Sequence, residues 1–519
     1  MTPDEFRAAG HALIDWIADY RATLEQRPVR AGVEPGDVLS RFPTVPPEDA
    51  GSFDQLLTAL EEWVVPGLTQ IQHPMHYGWF PANAALASVL GDIASSGLGA
   101  LGISWESAPA LTEVEQVVCD WLRQLTGLSE AWSGTIHDTA STSCLTALLV
   151  ARETAARSYD DQGMASLDRQ PVVYCTSQAH SSVKKAALLA GFGEANVRLV
   201  DHDPSTFAMD PDDLALRIDD DLAAGRHPVA VVATVGTTGT TAVDPVDEIV
   251  DVARGHDDIW IHVDAAMAGS AMILPECRHL WQGVEGADSL TWNAHKWLGT
   301  ILDTSLFYTR RPDALVQVMS TNPSYLWSKA DGQVVQYRDW GIPLGRRFRA
   351  LKLWFHLHLD GAEALRSRLR RDLDNARWLA RQLEAASDWE VVAPVPLQTI
   401  CVVHHTDRGM HDVEATNAHT LRWVERVNAS GRAYLTPTMI DGRWIARVSI
   451  GVETQERHHV EQLWKLMCDA AQGTAATNTA VDSLAVDSLA ADSAAVTSST
   501  ATEGTVLDSH AAAPDRSER

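Results

Sequence analysis

The chain has 519 residues, 45% hydrophobic and 21% charged, with a formal net charge of −28. That length exceeds one simple core and points to two or three domains of an ordinary globular protein. The negative balance argues against nucleic acid or anionic membranes as main partners, since neither would attract it.

Thr2 can cap a first helix, Pro3 suits its first turn, and Phe6, Leu13, Ile14 and Ile17 recur at helical spacing. After the Pro-rich stretch RFPTVPPEDA, the run FDQLLTALEEWVVPGL reads as a second helix ended by Pro66. Two such helices cannot bury a core alone, so residues 1–85 are expected to form an arm lying across something else. From residue 86 to 351, helical segments alternate with short β-branched runs: PVVYCT, PVAVVATVG, DIWIHVDAA, DSLTW and TSLFYT. Buried strands alternating with helices predict an α/β domain around a mostly parallel sheet, with ligands at the carboxyl ends of the strands. Residues 352–472 read as a smaller α+β domain: an Arg- and Leu-rich helix, the strands WEVVAP and TICVVHH, a helix, the strand WIARVSIG and a closing helix. Residues 473–519 are rich in Ala, Ser, Thr and Asp, carry no aromatic residue and repeat at five residues, which predicts a disordered tail.

The six cysteines (Cys119, Cys144, Cys175, Cys277, Cys401 and Cys468) lack CxxC spacing, and several lie in apolar runs, as buried reduced thiols would. No signal peptide is legible in MTPDEFRAAGHALIDW, and no run of about 18 apolar residues is present to span a bilayer, so a cytoplasmic location is expected. Histidine pairs such as His73 with His76 lack the helical spacing and acid of a zinc site, and no metal is expected.

The chemistry gathers after the strand-like runs. PVVYCTSQA is followed by His180, PVAVVAT by GTTGTT with Thr237 and Thr238, DIWIHV by Asp264, and DSLTW by Asn293, His295 and Lys296. Taken singly these have blander readings: a strand-end Asp as a cap, a Lys beside Trp as a snorkelling surface residue, TAS before a helix as capping. Together and in this order they suit an aldehyde cofactor bearing a pyridine ring and a phosphate. The lysine would form the Schiff base, the carboxylate would pair with the ring nitrogen, and the imidazole would stack on the ring. Thr139, Ala140 and Ser141 stand before a helix of small residues, whose first N–H groups would suit the phosphate.

The motifs HPMHYGWFPAN, GISWESAPALTEVE, TASTSCLTALLVAR, SQAHSS, ATVGTTGTTAVDP, DIWIHVDAAMAGS, NAHKWLG and YRDWGIPLGRRFRALKLW resemble the pyridoxal-phosphate-dependent group II amino-acid decarboxylases, most closely those acting on aromatic L-amino acids. The resemblance implies a fold-type I enzyme, similar to aspartate aminotransferase, with a seven-stranded sheet. It further implies a homodimer with pyridoxal 5'-phosphate sites at the subunit interface. It makes Lys296 the Schiff-base lysine, Asp264 the partner of the pyridine nitrogen and His180 the stacked base. Ala140, Ser141, Thr238, Ala266, Asn293 and His295 join them around the cofactor. Trp79, Phe80, Pro81, Ala82, Leu101, Ile103, His180, His295, Tyr325 and Gly345 fall at the substrate.

The resemblance also gives Tyr325, in the loop-like TNPSYLWSKADGQVVQY, the protonation of Cα after CO₂ leaves. Relatives that make aldehydes carry Phe there, so Tyr325 favours simple decarboxylation. Gly345 and Ile103 leave room for an indole, which favours L-tryptophan or 5-hydroxytryptophan over phenylalanine, tyrosine or DOPA. Decarboxylases of acidic amino acids would need cationic groups where Trp79, Phe80 and Pro81 stand.

Overall fold

A computed structural model describes residues 1–156, 163–164, 167–256, 258–321, 326–327, 330–406 and 412–473. Tyr325 and the tail from residue 474 lie outside the described residues, so the expectations placed on them remain sequence readings.

The larger sheet contains β1 (Ser133–His137), β2 (Pro171–Thr176), β3 (Val197–Val200), β4 (His227–Thr234), β5 (Trp260–Asp264), β6 (Ser289–Asn293) and β7 (Ser305–Thr309), in the order β1-β7-β6-β5-β4-β2-β3. The pairs from β3 through β6 are parallel, while β7 runs antiparallel to both β6 and β1. Five of these strands were legible as apolar runs because both their faces are covered. Val172, Tyr174, Val231, Ala233, Ile261 and Val263 enter one core, and the alternate Val173, Cys175, Ala230, Val232 and Trp260 enter another. β1 and β3, with the short sequences SGTIH and VRLV, carry no such signal and are additions to the sequence reading.

A second, antiparallel sheet holds β8 (Trp389–Val391), β9 (Thr399–His404), β10 (Thr436–Ile440) and β11 (Arg443–Ser449), ordered β10-β11-β9-β8. Helices Ala362–Ala385, Val413–Ala429 and Arg457–Ala471 supply its core through Leu379, Trp423, Val427, Leu463 and Met467. β10, TPTMI, was missed because proline and threonine mask the pattern; its side chains are mostly half-buried.

The first helix, Pro3–Ala22, starts on a reciprocal capping box between Thr2 and Glu5, yet buries none of its residues within the chain. The second differs from expectation. Helix Phe53–Ala59, capped by Ser52, widens into a five-residue turn over Leu60–Val64 and tightens again at Val65–Gly67. Pro66 explains the break, since it offers no N–H and its ring would strike the carbonyl of Glu62 in a regular helix. Among the described residues the six cysteines are free, five of them buried and Cys468 half-buried. No helix there is long and apolar enough to cross a membrane.

Candidate active site

β6, β5, β4 and β2 lie side by side, and their carboxyl ends carry the chemical groups. β5 ends in Asp264, 4% exposed, whose Oδ1 accepts the Ala266 N–H at 2.9 Å. That bond orients the carboxylate. The Ala266 carbonyl in turn accepts the Asn293 N–H at 2.8 Å, which ties the ends of β5 and β6 together.

Beyond Asn293 the chain makes one wide turn, Ala294–Leu298, with Lys296 inside it at φ −94° and ψ −112°. The turn is held from several sides. Arg368, on helix Ala362–Ala385, donates Nη2 to the carbonyls of Trp297 and Leu298 at 2.7 and 2.6 Å. Asp372, one turn further, accepts Trp297 Nε1 at 2.9 Å, and burial pushes its carboxyl up to about 6. Gly299 follows with φ +105°, where a Cβ would come within 3.2 Å of Arg368. Asn83 donates Nδ2 to the carbonyls of Gly451 (2.8 Å) and Lys296 (3.5 Å).

The Lys296 side chain is half-buried, with Nζ 5.3 Å from the centre of the Phe80 ring. Desolvation lowers its pKa; Asp264 opposes the shift and Arg447 adds to it. Among the described residues no carboxylate pairs with Nζ within 4.0 Å, so nothing neutralises the ammonium at contact distance. The amine is thereby biased toward its uncharged, nucleophilic form.

Two imidazoles flank it. His180, exposed, caps helix Ser181–Leu189, and its Nδ1 receives the Ser182 N–H at 3.2 Å. In the neutral ring the proton therefore sits on Nε2. Partial desolvation of the ring on its inner side lowers the His180 pKa, with Asp264 opposing and Lys296 reinforcing. His295 is 5% exposed; its Nδ1 receives the Thr304 N–H at 3.0 Å, and desolvation with the neighbouring Lys296 brings its pKa down to about 4. The β4 loop divides its threonines. Thr237 is buried and accepts the Ala242 N–H at 3.0 Å, whereas Thr238 is exposed at the tip. Asp244 staples this loop by accepting the N–H groups of Thr234 (2.7 Å) and Met209 (2.8 Å), and burial lifts its carboxyl to about 6.

The expected substrate residues separate into groups. Phe80 stands over Lys296, and Pro81 packs beside it against Gly451, where a glycine Cβ would meet Pro81 at 2.8 Å. Ala82 is half-buried on the same segment, held by Gln72 through its carbonyl. Trp79 turns elsewhere: its ring lies 5.2 Å from Tyr434 and 5.6 Å from His76. Leu101, Ile103 and Gly345 form a separate surface cluster. Leu101 is 56% exposed, a Cβ on Gly345 would meet it at 3.6 Å, and the Gly102 N–H donates to the Arg346 carbonyl at 3.0 Å. The sequence reading missed the supports of the Lys296 turn, Arg368, Asp372 and Asn83. Arg368 and Asp372 are about seventy residues away, and no local pattern links them to it.

The donor set suits a pyridoxal phosphate. A desolvated amine, an oriented carboxylate, an exposed imidazole and the amino terminus of helix Ala140–Ala156 surround one sheet edge. Asn293, 3% exposed, keeps its Oδ1 buried without a partner, so its amide faces a group the protein itself does not supply.

The sequence matches the Pyridoxal-dependent decarboxylase conserved domain over residues 35–404, and the chain belongs to that family. It is therefore a carboxy-lyase that works with pyridoxal phosphate on a fold-type I scaffold. It is 36% identical over 482 residues to Tryptophan decarboxylase 2 of Oryza sativa subsp. japonica, covering 91% of this chain and 95% of that one. It is 37% identical over 482 residues to Phenylacetaldehyde synthase of Arabidopsis thaliana, covering 91% and 96%. Its fold is similar to the crystal structure of Oryza sativa TDC with PLP and tryptamine, with a TM-score of 0.88, 35% identity and coverage of 92% and 99%.

Proposed function

We propose that this enzyme decarboxylates aromatic L-amino acids to the amine and CO₂, with L-tryptophan or 5-hydroxytryptophan preferred, as a cytoplasmic homodimer. The observation behind the substrate preference is the Leu101–Gly345 cluster. A wall without a side chain at residue 345, where a Cβ would stand 3.6 Å from Leu101, favours a larger ring over a smaller one, and the cluster's exposure in one chain suits a wall presented to a second copy. The unburied first helix and the exposed Leu86, Leu90, Ile93 and Trp354 support the same pairing.

When bound, pyridoxal phosphate supplies an aldehyde for an amine and a ring that draws electrons from Cα. In this reading Ala140, Ser141 and Asn293 hold the phosphate, while Thr238 and Ala266 contact the cofactor from the loops. Asp264 pairs with the pyridine nitrogen and keeps it protonated. Lys296, its pKa lowered by burial, would hold the cofactor through its aldehyde, and His180 Nε2–H and His295 would orient the incoming amino acid. Phe80, Pro81 and Ala82 exclude water from the reacting side. Tyr325 delivers the proton that replaces CO₂ at Cα.

The test is the product spectrum of the purified holoenzyme given each aromatic L-amino acid in turn. Amine release with the highest kcat/KM for an indole substrate is expected, and aldehyde with peroxide as the main products would overturn the reading. Tyr325→Phe is expected to shift turnover toward aldehyde, ammonia and peroxide. An unchanged amine yield without peroxide would remove Tyr325 from the proton-delivering role.

A further inference from the structure

Gly345 ends an exposed run that begins at Ile342, and Arg346, at 8% exposure, is where the chain turns inward. Facing it, residues 101–103 lie in a loop outside any helix or strand. Ser107 closes that loop, its Oγ accepting the N–H groups of Ile103 and Ser104 at 3.3 and 3.1 Å. The two segments meet through a backbone hydrogen bond, from the Gly102 N–H to the Arg346 carbonyl at 3.0 Å. A Cβ on Gly102 would stand 2.8 Å from Leu111 and 3.2 Å from that carbonyl, so the approach is as close as a glycine allows.

Behind this contact the Arg346 guanidinium enters a buried polar knot. Its Nη2 donates to Glu115 Oε1 at 2.6 Å, to the Ile136 carbonyl at 2.9 Å and to Thr135 Oγ1 at 3.1 Å. Glu115, 1% exposed on helix Pro109–Thr126, also accepts the Ile136 N–H and the Thr135 hydroxyl, both at 2.8 Å. The Tyr337 ring covers the guanidinium at 4.9 Å. A buried ion pair adds little net stability over an apolar plug of the same shape, because both ions must shed water. A leucine could fill the space. What the ions add is direction: a planar fork bound to a helix and to β1 at once fixes both the depth and the rotation of the residue that carries it.

We infer that Glu115 and Arg346 are positioning residues for substrate choice, their ion pair setting where Gly345 and residues 101–103 stand as the wall of the side-chain pocket. The inference rests on the decarboxylase reading above, with its specificity wall, and adds the brace behind that wall. Gly345 is the residue next to Arg346, and Gly102 hangs on the Arg346 carbonyl, so both parts of the wall take their place from one side chain. A shift of the fork moves the wall and leaves the Lys296 turn on its own supports, Arg368, Asp372 and Asn83. A wall that drifts admits large and small rings more equally. Its loss therefore appears in discrimination between substrates and not in the bond-breaking step.

The experiment compares the wild-type holoenzyme with Glu115→Gln, Glu115→Asp and Gly102→Ala, each given L-tryptophan and L-tyrosine. For Glu115→Gln, the ratio of the two kcat/KM values is expected to move on the order of tenfold toward one, through KM, with each kcat within about threefold. The Kd of pyridoxal phosphate for the apoprotein is expected to stay within about threefold. Glu115→Asp, which keeps the charge on a shorter arm, should fall between. Gly102→Ala keeps the ion pair but crowds Leu111 and the Arg346 carbonyl, and should move the ratio in the same direction. It decides alone if the Glu115 variants fail to fold. Equal changes for both amino acids would overturn the proposal, because the pair would then merely support the fold. A loss confined to pyridoxal phosphate would overturn it too, assigning the pair to β1 and the helix that follows it. So would a wild type that does not distinguish tryptophan from tyrosine. No amine from the wild type with any aromatic substrate would refute the functional reading itself, and this inference with it.

Discussion

The Lys296 turn and the Leu101–Gly345 cluster are both expected parts of one active site, yet the fold treats them differently. The turn is built and braced within a single chain. Arg368, Asp372, Asn83, Thr304 and Gly299 each fix part of it. The cluster has little around it: Leu101 is 56% exposed, with Ile342 at 52% and Leu344 at 42% nearby in sequence to Gly345. Chemistry common to the family calls for a geometry that one chain guarantees, whereas substrate choice can be left to an exposed surface.

Damage to the turn side should therefore be severe and insensitive to the substrate. Asp264→Ala is expected to lower kcat on the order of a thousandfold for every aromatic amino acid, the scale of removing one preorganised electrostatic group. Steady-state kinetics on the fully loaded enzyme checks this, and a loss below about tenfold would remove Asp264 from the ring-nitrogen position. Asp372→Ala takes the acceptor from Trp297 and the nearby carboxylate from Arg368. About 3–5 kcal/mol of stability should go with it, read by denaturant unfolding. A change under about 1 kcal/mol would mean the turn stands without this brace.

Acid should loosen the turn through its histidine. Burial brings His295 to about 4, as it does His76, His137, His262 and His419. The unfolded chain binds protons on these residues near 6.5 that the folded chain refuses until about 4. Stability is thus fully present above about 6.5 and is lost as pH falls toward 4. Asp244 and Asp372, raised to about 6, act in the opposite sense over part of that window, but two groups oppose five. The melting temperature should drop steadily from pH 7 to pH 5, and a flat or rising profile would contradict this balance.

The cluster side should yield smaller, substrate-dependent effects. Gly345→Ser adds a hydroxymethyl facing Leu101 and is expected to move the tryptophan-to-tyrosine ratio of kcat/KM about 10-fold or more toward tyrosine. Equal changes for both substrates would take Gly345 out of the specificity wall.

Much of this division could be read from the sequence, and the parts that could not share a cause. β2, β4, β5, β6 and β7 announced themselves because burial on both faces forces continuous apolar runs. The groups at their ends followed once the strands were placed. β1, β3 and β10 are too short or too polar to stand out, and the break before Pro66 was read one turn too late. Glu115 and Arg346 were passed over, because one reads as an ordinary helix acid and the other as one of several arginines in GRRFR. Their pairing spans 231 residues of sequence. Thr237 and Thr238 looked alike in GTTGTT, and folding alone turned one inward and the other out.

The central claim is that Lys296 is the amine that carries pyridoxal phosphate. Borohydride reduction of the holoenzyme followed by peptide mass mapping tests it directly. A stable pyridoxyl modification is expected on the peptide spanning NAHKWLG, located at Lys296 and lost in Lys296→Ala. A modification on another lysine with Lys296 unlabelled would contradict it.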